Sequence, residues 1–412
     1  MEKFFNPKSV AIIGASSKKG KIGYEILLNI LKSNVKAYPV NPNRNEILGI
    51  KCYKSIEEID DKIDLAVIAI DAKKCIEAME KCGEKGIRHA VVVSGGFSEV
   101  GNEELEKELL GIARKYGIRI IGPNCVGVFN AKNGFNTFFQ RNMDFPHYGS
   151  VAILTQSGTF GIALMEKLAN EGIGISKFVS YGNKADVDEI DLMEYLERDE
   201  ETKIVAMYIE EMGREFFERK FKKRIIILKA GRSKLGQKAA SLHTGAMATN
   251  YEIFKGVCKQ KKVIYADDFE EFFSIIKIAS LQGFPKGKRL GIITNGAGPA
   301  VLACDFIEEA RNVELADMVD LTGSAKASDY IEAMKKMKAD IILLVFVFQD
   351  APLAESLEEL YQGLKEIDKF CIAVAIGGSF VEEQKKRLLK LKIPVFEEPK
   401  VVINSLDKLL IK

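Results

Sequence analysis

The sequence predicts an α/β protein whose parallel sheets carry helices on both faces. Short apolar segments alternate along the chain with amphipathic stretches of helical periodicity, a pattern typical of βαβ units. Several of these apolar segments run directly into glycine-rich turns. A chain of 412 residues is long enough for two or three domains, each with its own core. We therefore expect three doubly wound, Rossmann-like or flavodoxin-like domains, at residues 1–130, 150–282 and 288–412.

The composition excludes several classes of protein. Apolar residues make up 47% and charged residues 29%, which is ordinary for a globular chain. The 60 basic and 58 acidic residues leave a net charge of +2, so we expect no nucleic-acid partner. The longest apolar run, Ile341–Phe348, is too short to cross a bilayer, and the first residues lack the architecture of a signal peptide. We expect a cytoplasmic protein without a membrane partner.

The cysteines predict no metal site. All seven are scattered without a Cys-x-x-Cys pair, so neither a zinc site nor a disulfide framework is indicated. Such a pattern suits a reducing compartment. Cys125 is interpreted as a small buried apolar residue, since nothing near it in the sequence would activate a thiolate.

The first predicted domain contains five strands that alternate with helices such as Tyr24–Lys32 and Asn102–Lys115. The predicted strands are Val10–Gly14, Val35–Val40, Leu65–Ile70, Ala90–Ser94 and Ile118–Gly122. Ligands of such sheets bind outside the carboxyl ends of the strands. We therefore expect the ligand site of this domain in the turns that follow its strands.

The turn after the first strand, Gly14–Gly23, opens a helix and carries two serines and three lysines. Backbone N–H groups at the start of a helix bind phosphate. Five residues separate Gly14 from Gly20, so the spacing is not Gly-x-Gly-x-x-Gly. The residues after the second strand, Asn41-Pro42, do not include the acidic residue of an NAD site. We expect a nucleotide-like ligand other than NAD. The alternative is a tight turn without a ligand.

Two further strand ends face the same edge of the predicted sheet. Ser94–Gly96 follows the fourth strand and Gly122–Asn124 follows the fifth, and both expose backbone donors. Asn124 is either a ligand contact or part of a plain turn, and the residues leave both interpretations open.

Residues 131–149 break the alternation and are predicted to be a linker. A second domain then begins with a strand at Ser150–Gln156, which turns into a helix. The acidic run Asp186–Asp191 is interpreted as the start of a helix, where carboxylates complement the dipole, rather than as a metal site. The remaining predicted strands of this domain are Lys203–Ile209, Arg224–Lys229 and Val263–Ala266.

A second linker, Gly283–Lys288, precedes a third and smaller domain. The runs Ile153–Thr159 and Ile292–Gly298 have the same order of residue types, so we predict the same strand–turn–helix element at both. Two such helix N-termini facing one another can hold a single phosphoryl group. The predicted strands of the third domain are Arg289–Asn295, Asp340–Phe348, Phe370–Gly377 and Ile393–Phe396.

One of only three histidines, His243, lies among small residues in a stretch without hydrophobic periodicity from about Lys229 to Asn250. This stretch predicts a long loop. Either the loop presents His243 as a nucleophile, or it is a flexible surface loop that happens to contain a histidine. A nucleophilic histidine needs one free ring nitrogen and an acceptor for the other N–H. Glu210, at the end of a predicted strand, is the best acceptor, and Glu211 is the alternative.

The other two histidines are poorer candidates for a phosphorylated side chain. His89 directly precedes an apolar strand, where a role in the core or at the sheet edge is expected. His147 lies in the predicted linker beside a proline, without a glycine-rich setting.

Four motifs, Val10–Ser16, Gly122–Asn124, Ser180–Asp188 and Ser241–Ala246, together span the first two predicted domains. They resemble motifs of the α subunits of ADP-forming acyl-CoA synthetases (acetate–CoA ligase, ADP-forming), in the superfamily of succinyl-CoA synthetase. The resemblance covers essentially the whole chain. It implies that His243 is phosphorylated during turnover.

The resemblance also implies a role for Glu210, which would orient the phosphorylated histidine, and two sets of binding residues. The phosphoryl group is expected at the turns formed by Gln156, Ser157, Gly158, Thr159, Asn295, Gly296, Ala297 and Gly298. CoA is expected at Gly14, Ala15, Ser16, Lys18, Gly20, Lys21, Asn41, Pro42, Ser94, Gly95 and Asn124.

The reaction implied by the resemblance converts acyl-CoA, ADP and phosphate reversibly to a small organic acid, ATP and CoA. It passes through an acyl phosphate and a phosphohistidine. We expect no ATP-grasp domain in the residues after 283. ADP, ATP and Mg²⁺ are therefore expected mainly on a separate ATP-grasp β subunit, in an α2β2 assembly.

Two alternatives belong to other classes of protein. The first is a non-catalytic CoA-binding module of the same fold, with a regulatory or structural role, which would need neither His243 nor Glu210. The second is an NAD-dependent oxidoreductase, which the missing acidic residue after the second strand disfavours.

Overall fold

Parallel strands form most of the sheets in the computed structural model. The structure describes residues 1–239 and 250–411, and gives residues 240–244 as helical backbone only. The described strands are β1 (Ser9–Ile13), β2 (Lys36–Val40), β3 (Glu46–Ile47), β4 (Ile50–Lys51), β5 (Leu65–Ile68), β6 (His89–Val92), β7 (Arg119–Ile121), β8 (Gly127–Asn130), β9 (Phe135–Asn136), β10 (Tyr148–Thr155), β11 (Ile175–Ser180), β12 (Ile204–Ile209), β13 (Arg224–Lys229), β14 (Ile264–Ala266), β15 (Arg289–Thr294), β16 (Glu314–Asp320), β17 (Ile341–Phe346), β18 (Phe370–Ala375) and β19 (Val395–Phe396).

Helices connect these strands, together with the two 3₁₀ turns Ile56–Glu58 and Ser98–Val100. Within residues 1–244 and 250–411, no helix is both long and apolar enough to cross a membrane. The described helices are α1 (Glu2–Phe5), α2 (Ile22–Leu31), α3 (Ala72–Glu84), α4 (Glu103–Tyr116), α5 (Gly158–Asn170), α6 (Glu189–Arg198), α7 (Arg214–Glu218), α8 (Lys234–Thr244), α9 (Tyr251–Lys261), α10 (Phe269–Gln282), α11 (Ala297–Glu309), α12 (Ala327–Lys336), α13 (Ala351–Ala354), α14 (Leu357–Lys365), α15 (Ser379–Lys390) and α16 (Pro399–Leu409).

Burial explains why the apolar runs form strands and the amphipathic runs form helices. All five residues of β1 are buried, as expected for a strand covered on both faces. In α3, Cys75, Met79 and Cys82 recur at helical spacing and are buried in the core, and Asp71 caps the helix by accepting the N–H of Lys73. The strands and helices predicted for the first third of the chain are confirmed, with their ends shifted by no more than two residues.

The chain separates into two compact units. The first contains Met1–Asn170 and Gly174–Val257, and the second contains Glu171–Ile173 and Cys258–Lys412. One sheet of the first unit has the strand order β2–β1–β5–β6–β7, with all neighbours parallel. This is the 2-1-3-4-5 order of flavodoxin-like sheets, which bind ligands beside the ends of the first and third strands.

The other sheet of the first unit follows the order β13–β12–β10–β11–β8–β9. Its strands β10 to β13 are parallel and repeat the same order, whereas β8 and β9 are antiparallel additions at the edge. Thr155 on β10 is level with Ser180 on β11 and Tyr208 on β12. The residues that follow these strands therefore leave the sheet at one edge.

The second unit contains a parallel sheet of the order β16–β15–β17–β18–β19, again 2-1-3-4-5. Thr294 at the end of β15 is level with Asp320 and Val345 on the neighbouring strands. The sheets of the two units confirm the predicted α/β class with Rossmann-like or flavodoxin-like parallel sheets. The domain limits drawn from the sequence stay a prediction.

Six of the described strands, β3, β4, β8, β9, β11 and β16, were not predicted from the sequence. In β11 the apolar residues are interrupted by Ser176, Lys177 and Ser180, all of which are buried. Strand β16 lies at a sheet edge, and most of its residues are exposed. Neither β11 nor β16 contains the apolar run on which the strand predictions depended.

The long loop predicted before Asn250 is wrong in part, because α8 occupies Lys234–Thr244. The hydroxyl oxygen of Ser233 accepts a hydrogen bond from the N–H of Gly236 at 3.1 Å, as an N-cap residue does. Lysine, leucine, glutamine and alanine in this stretch are strong helix formers. The stretch lacks apolar periodicity, but the cap residue Ser233 was a signal for the start of a helix. Residues 245–249 of the predicted loop lie outside the described residues.

A buried cation crosslinks the second sheet of the first unit. Lys177 on β11 is 2% exposed, and its Nζ lies 2.9 Å from Asp199 Oδ2 and 3.0 Å from Glu201 Oε2. The hydroxyl of Thr202 donates a further hydrogen bond of 2.6 Å to Asp199. Burial opposes ionisation, yet hydrogen bonds from these donors hold the pKa of Asp199 below its ordinary value. The burial of Lys177 in β11 therefore depends on its ion pairs with Asp199 and Glu201, whereas the apolar residues of the neighbouring strands are buried by packing alone.

We expect Lys177→Met to lower the free energy of unfolding by about 3–5 kcal/mol, because two poorly solvated carboxylates lose their partner. The matched control is Lys132→Met, which removes an exposed partner of the same Glu201 and should cost much less, because solvent screens exposed ion pairs. A carboxyl group with a lowered pKa stabilises the fold above its ordinary pKa, and this contribution is lost as the pH falls. The difference in the free energy of unfolding between wild type and Lys177→Met should therefore become smaller at acidic pH. Urea unfolding at neutral and acidic pH measures both effects, and equal losses for the two variants would contradict the prediction.

Candidate functional site

The first cavity lies at the carboxyl edge of the first sheet, beside the ends of β1, β2, β5 and β6, and has a volume of about 560 Å³. The order of parallel strands brings these ends to one edge. Cys125, in the turn that follows the last strand of this sheet, is buried, and burial raises the pKa of its thiol, as expected for an unreactive cysteine. Eight of the eleven residues predicted for CoA line the cavity, namely Gly14, Ala15, Ser16, Lys18, Lys21, Asn41, Ser94 and Gly95.

Close backbone packing explains the glycines of the turn after β1. Gly14 has φ +94°, and a Cβ placed on it would lie 2.3 Å from the carbonyl oxygen of Ala69. A Cβ on Gly23 would lie 2.0 Å from the carbonyl oxygen of Gly14. Helix α2 therefore starts directly against the turn, and its first N–H groups and the two lysines make this end of the cavity suitable for phosphate.

Two of the predicted residues hold the walls of the first cavity in place. Asn41 Nδ2 donates a hydrogen bond of 2.7 Å to the carbonyl oxygen of Ala15, which ties the end of β2 to the turn. Ser94 Oγ accepts the N–H of Ile70 at 3.1 Å, which ties the end of β6 to the end of β5. Both side chains have a structural role beside any contact with a ligand.

Three residues predicted for CoA lie outside this cavity. Gly20 and Pro42 are exposed and do not line it, and the N–H of Gly20 donates to Glu25 Oε1 at 2.9 Å. Asn124 lines the second cavity instead. It has φ +57° and follows Pro123, so it belongs to a tight turn and also faces a cavity.

The second cavity, of about 450 Å³, contains all four residues predicted for phosphate in the second domain: Gln156, Ser157, Gly158 and Thr159. Helix α5 begins at Gly158, so the N–H groups of its first turn have no partners within the helix. A Cβ on Gly158 would lie 2.6 Å from Val126, which explains why a glycine stands there. Val93 lines both cavities, so the two adjoin.

The carboxamide of Gln156 connects this cavity to the predicted acceptor Glu210. Its Oε1 accepts the N–H of Glu210 and, at 3.0 Å, the N–H of Glu211. Glu210 is 7% exposed and lies at the end of β12, next to the turn that is predicted to bind phosphate. The structure therefore brings Glu210 and the predicted phosphate turn together.

Two lysines that were not predicted as site residues lie next to Glu210 and Glu211. Lys229, at the end of β13, donates to the carbonyl oxygen of Glu210 at 3.2 Å, and burial lowers the pKa of its ammonium. Lys184 donates to the carbonyl oxygen of Glu211 at 3.2 Å and pairs with Glu189, whose pKa is raised by burial. Lys229 ends an apolar strand, and a lysine in that position was a sequence signal for a charged group at the edge of the sheet. These cations favour an anionic ligand at this edge of the sheet.

The acidic run that starts α6 is a helix cap, as predicted. Asp188 accepts the N–H groups of Ile190 and Asp191, and Asp191 accepts the N–H of Asp188, so the two form a capping box. Asp186 accepts hydrogen bonds from Arg119. Among the described residues, no group of three or more His, Cys, Asp or Glu side chains is arranged to hold a metal ion.

The equivalent turn in the second unit makes the same local hydrogen bonds. The hydroxyl of Thr155 donates to the carbonyl oxygen of Ser157 and accepts the N–H of the same residue. The hydroxyl of Thr294 makes the same two bonds with Gly296. Asn295 donates to Val347 and Asp350 and accepts from Tyr330 and from the N–H of Val347, so its carboxamide is fully used. At the predicted phosphate residues Asn295, Gly296, Ala297 and Gly298, backbone N–H groups at the start of α11 are therefore what an anion would meet.

The side chain of His243 lies outside the described residues. Helix α8, which includes position 243, lies next to the 3₁₀ turn Ser98–Val100 of the same unit. His89 makes an edge-to-face contact with Phe4, and burial lowers its pKa, which confirms a structural role for it.

Several residues of the second cavity were missed because no sequence signal marks them. Phe139 and Gln140 come from the stretch predicted to be a linker, and Ile162 comes from α5. By contrast, Ala69 and Asp71 in the first cavity follow the third strand of the sheet, and the rule for ligand sites of such sheets would have found them.

Known proteins share these features in sequence and structure. Residues 8–131 match a family described as CoA binding domain, and residues 148–279 match one described as Succinyl-CoA ligase like flavodoxin domain. The chain is 38% identical to the α subunit of acetate–CoA ligase (ADP-forming) II of Pyrococcus furiosus, over 98% of this chain and 95% of that protein. It is 39% identical to the acetate–CoA ligase (ADP-forming) of Methanocaldococcus jannaschii over 98% of its own length, and spans 62% of that protein.

A solved structure matches along the whole chain. It is the dinucleotide forming acetyl-coenzyme A synthetase 1 of Ca. Korarchaeum cryptofilum in complex with phosphate and ADP, with a TM-score of 0.90 and 33% identity. The match covers 100% of this chain and 96% of that chain. With sequence similarity over nearly the full length of an α subunit and the same fold, the chain belongs to the family of ADP-forming acetate–CoA ligases.

Proposed function

We propose that this chain is the α subunit of an ADP-forming acyl-CoA synthetase that converts acyl-CoA, ADP and phosphate reversibly to a small organic acid, ATP and CoA. The observation that carries the proposal is the pair of adjoining cavities. One is lined by eight residues predicted for CoA, and the other by the four residues of the phosphate turn at the start of α5. Acetate is the acid named for the relatives, and it is the first candidate here.

In the first step, an oxygen of phosphate attacks the thioester carbonyl carbon. The carbon–sulfur bond breaks, the CoA thiolate leaves, and an acyl phosphate forms. The N–H groups at the start of α5 hold the phosphate and stabilise the negative charge that develops. Lys184 and Lys229 add positive charge near this turn.

In the second step, a neutral ring nitrogen of His243 attacks phosphorus. The bond between phosphorus and the acyl oxygen breaks, and the acid leaves as its carboxylate. Glu210 accepts the N–H of the other ring nitrogen, which fixes the tautomer of the histidine and stabilises the positive charge on its ring. The buried position of Glu210 beside Gln156 supports this role.

The phosphoryl group then passes from His243 to ADP. We assign ADP, ATP and Mg²⁺ mainly to a partner β subunit with an ATP-grasp domain, in an α2β2 assembly. The α-subunit names of two relatives that are covered almost fully support a partner chain. We further propose that residues 1–130 serve as the CoA-binding domain, residues 150–282 as the ligase domain and residues 288–412 as a second ligase-type domain.

A non-catalytic CoA-binding module is the second candidate. It would account for the first cavity but not for the carboxamide bridge from Gln156 to Glu210, nor for the lysines around it. An NAD-dependent oxidoreductase is disfavoured because β2 is followed by Asn41, which has no carboxylate for a ribose.

The lysines of the first cavity provide a test of CoA binding. We expect Lys18→Ala and Lys21→Ala each to weaken CoA binding about tenfold, because each removes a cation from a phosphate site. Lys19→Ala is the matched control, since this lysine lies in the same turn but does not line the cavity. Isothermal titration calorimetry at low and high salt measures the losses, which should shrink as salt screens the charges. Equal losses for all three variants would contradict the placement of the site.

The second prediction concerns the phosphohistidine. Acetyl-CoA and radiolabelled phosphate, with or without the partner subunit, should label the chain with an acid-labile and base-stable phosphoryl group. His243→Asn should abolish the label, and His147→Asn, which changes an exposed histidine elsewhere in the first unit, should retain it. If wild type binds CoA but no condition labels it, the non-catalytic module is favoured.

A further inference from the structure

The stretch predicted to be a linker contains a segment, Phe138–Arg141, that lines the second cavity of the first unit and is linked through Glu25 to the turn beside the first. Phe139 and Gln140 line the second cavity. Arg141 reaches the turn of the first cavity through Glu25. A spacer between domains has no need of either contact.

The 138–141 segment is fixed to helix α2 at its first residue. Asn29 is buried on this helix, and its Nδ2 donates a hydrogen bond of 2.9 Å to the carbonyl oxygen of Phe138. The ring of Phe138 is fully buried against Phe129 and Phe178. Helix α2 is also the helix that begins at the predicted CoA turn, so the segment and the turn share one support.

At the other end, Arg141 holds a carboxylate that itself holds the turn. Glu25 is buried, and its Oε1 accepts both an Arg141 Nη2–H bond and the N–H of Gly20 at 2.9 Å. The hydrogen bond from Arg141 is the main cause that lowers the pKa of Glu25. Glu25 therefore remains ionised and acts as a strong acceptor for the backbone of the turn. Without Arg141 the carboxylate would be buried without its charge partner.

In the middle of the segment, Gln140 has an unused polar group. Its Oε1 is buried and has no hydrogen-bond partner within residues 1–239 and 250–411, although the residue lines the second cavity. Leaving a buried acceptor unpaired destabilises the protein. A ligand that hydrogen-bonds this carboxamide, after rotation of the side chain where needed, removes that destabilisation. A carboxamide can donate through its nitrogen or accept through its oxygen, which matches the amides of a pantetheine arm.

We propose that the 138–141 segment is part of the CoA site, with Gln140 bonded to an amide of the pantetheine arm and Arg141 acting as a positioning residue for the turn. The inference rests on the proposed function. Phosphates at the Gly14–Lys21 turn and a thioester at the start of α5 require the arm to pass from the first cavity into the second. Val93 lines both cavities at this passage, and Gln140 lines the side that the arm would enter.

The test compares two ligands on the full chain. CoA contains the arm, whereas adenosine 3′,5′-bisphosphate contains only the nucleotide end. Gln140→Leu should weaken CoA binding by about 3- to 10-fold and leave the bisphosphate within about twofold of wild type. Arg141→Ala should weaken both ligands about equally, by about tenfold, because it disturbs the turn that both use. Asp144→Asn, at an exposed position in the same stretch, is the control and should change neither.

If Arg141 positions the turn, a conservative substitution should restore ligand binding. Arg141→Lys retains a cation that can bond to Glu25, so it should restore most of the affinity lost in Arg141→Ala. In turnover assays with the partner subunit, Arg141→Ala should raise KM for CoA while kcat stays close to wild type. Thermal unfolding of each variant establishes that the binding results refer to folded chains.

Four outcomes would overturn the inference. If Gln140→Leu weakens neither ligand, Gln140 does not bond to the arm. If it weakens both, the substitution acts on the fold rather than on the arm. If Arg141→Ala binds both ligands with the affinity of the Asp144→Asn control, the segment does not position the turn and is only a linker. A Gln140→Leu loss seen with acyl-CoA but not with CoA would assign the residue to the acyl group instead. Wild type that binds neither ligand would contradict the proposed function itself, a result distinct from these four.

Discussion

Two buried carboxamides determine what the turns at the ends of β10 and β15 can offer to an anion. The oxygen of Gln156 accepts the N–H groups of Glu210 and Glu211, and the oxygen of Asn295 accepts the N–H of Val347. Without these acceptors, backbone donors at the end of a neighbouring strand would lose their partners, at about 1–3 kcal/mol each where they are buried. At the end of β15 the carboxamide of Asn295 is fully used, so the N–H groups of the following helix are the donors left at that turn. At the end of β10 only the oxygen of Gln156 is used, and its amide nitrogen remains beside the N–H groups of the following helix. One side chain thus completes the sheet and leaves the helix N-terminus for a ligand.

The same strand order gives the two sheets of the first unit different chemistry, because the residues that follow the strands differ. After β1, glycines let the backbone approach Ala69 closely, and lysines at the mouth of the cavity are exposed to solvent. After β10, a carboxamide links the turn to Glu210, which lies beside the buried Lys229. A mobile, highly charged ligand such as a nucleotide suits the first arrangement. A reaction in which charge develops at a fixed point suits the second, since donors that are already in place need not reorganise.

The parts of the fold that the sequence predicted are those that depend on local patterns. Apolar runs such as Ile341–Phe346 and the glycine turn at Gly14 depend on residues close in sequence, so both were found. Strand β11 was missed because Lys177 is buried only with the help of Asp199 and Glu201, more than twenty residues away. The capped start of α8 at Ser233 is local, and it was missed because the search was limited to apolar periodicity.

The same distinction explains which site residues were found. The predicted CoA and phosphate residues are strand-end residues, and a parallel sheet collects these at one edge whatever the rest of the chain does. Phe139 and Gln140 are not attached to a strand end. Their position depends on Asn29, which is more than one hundred residues away and bonds to the carbonyl of Phe138. A stretch without periodicity is therefore not free of structure: its path is set by hydrogen bonds to distant residues, and such a path can cross a site that the sheets alone do not enclose.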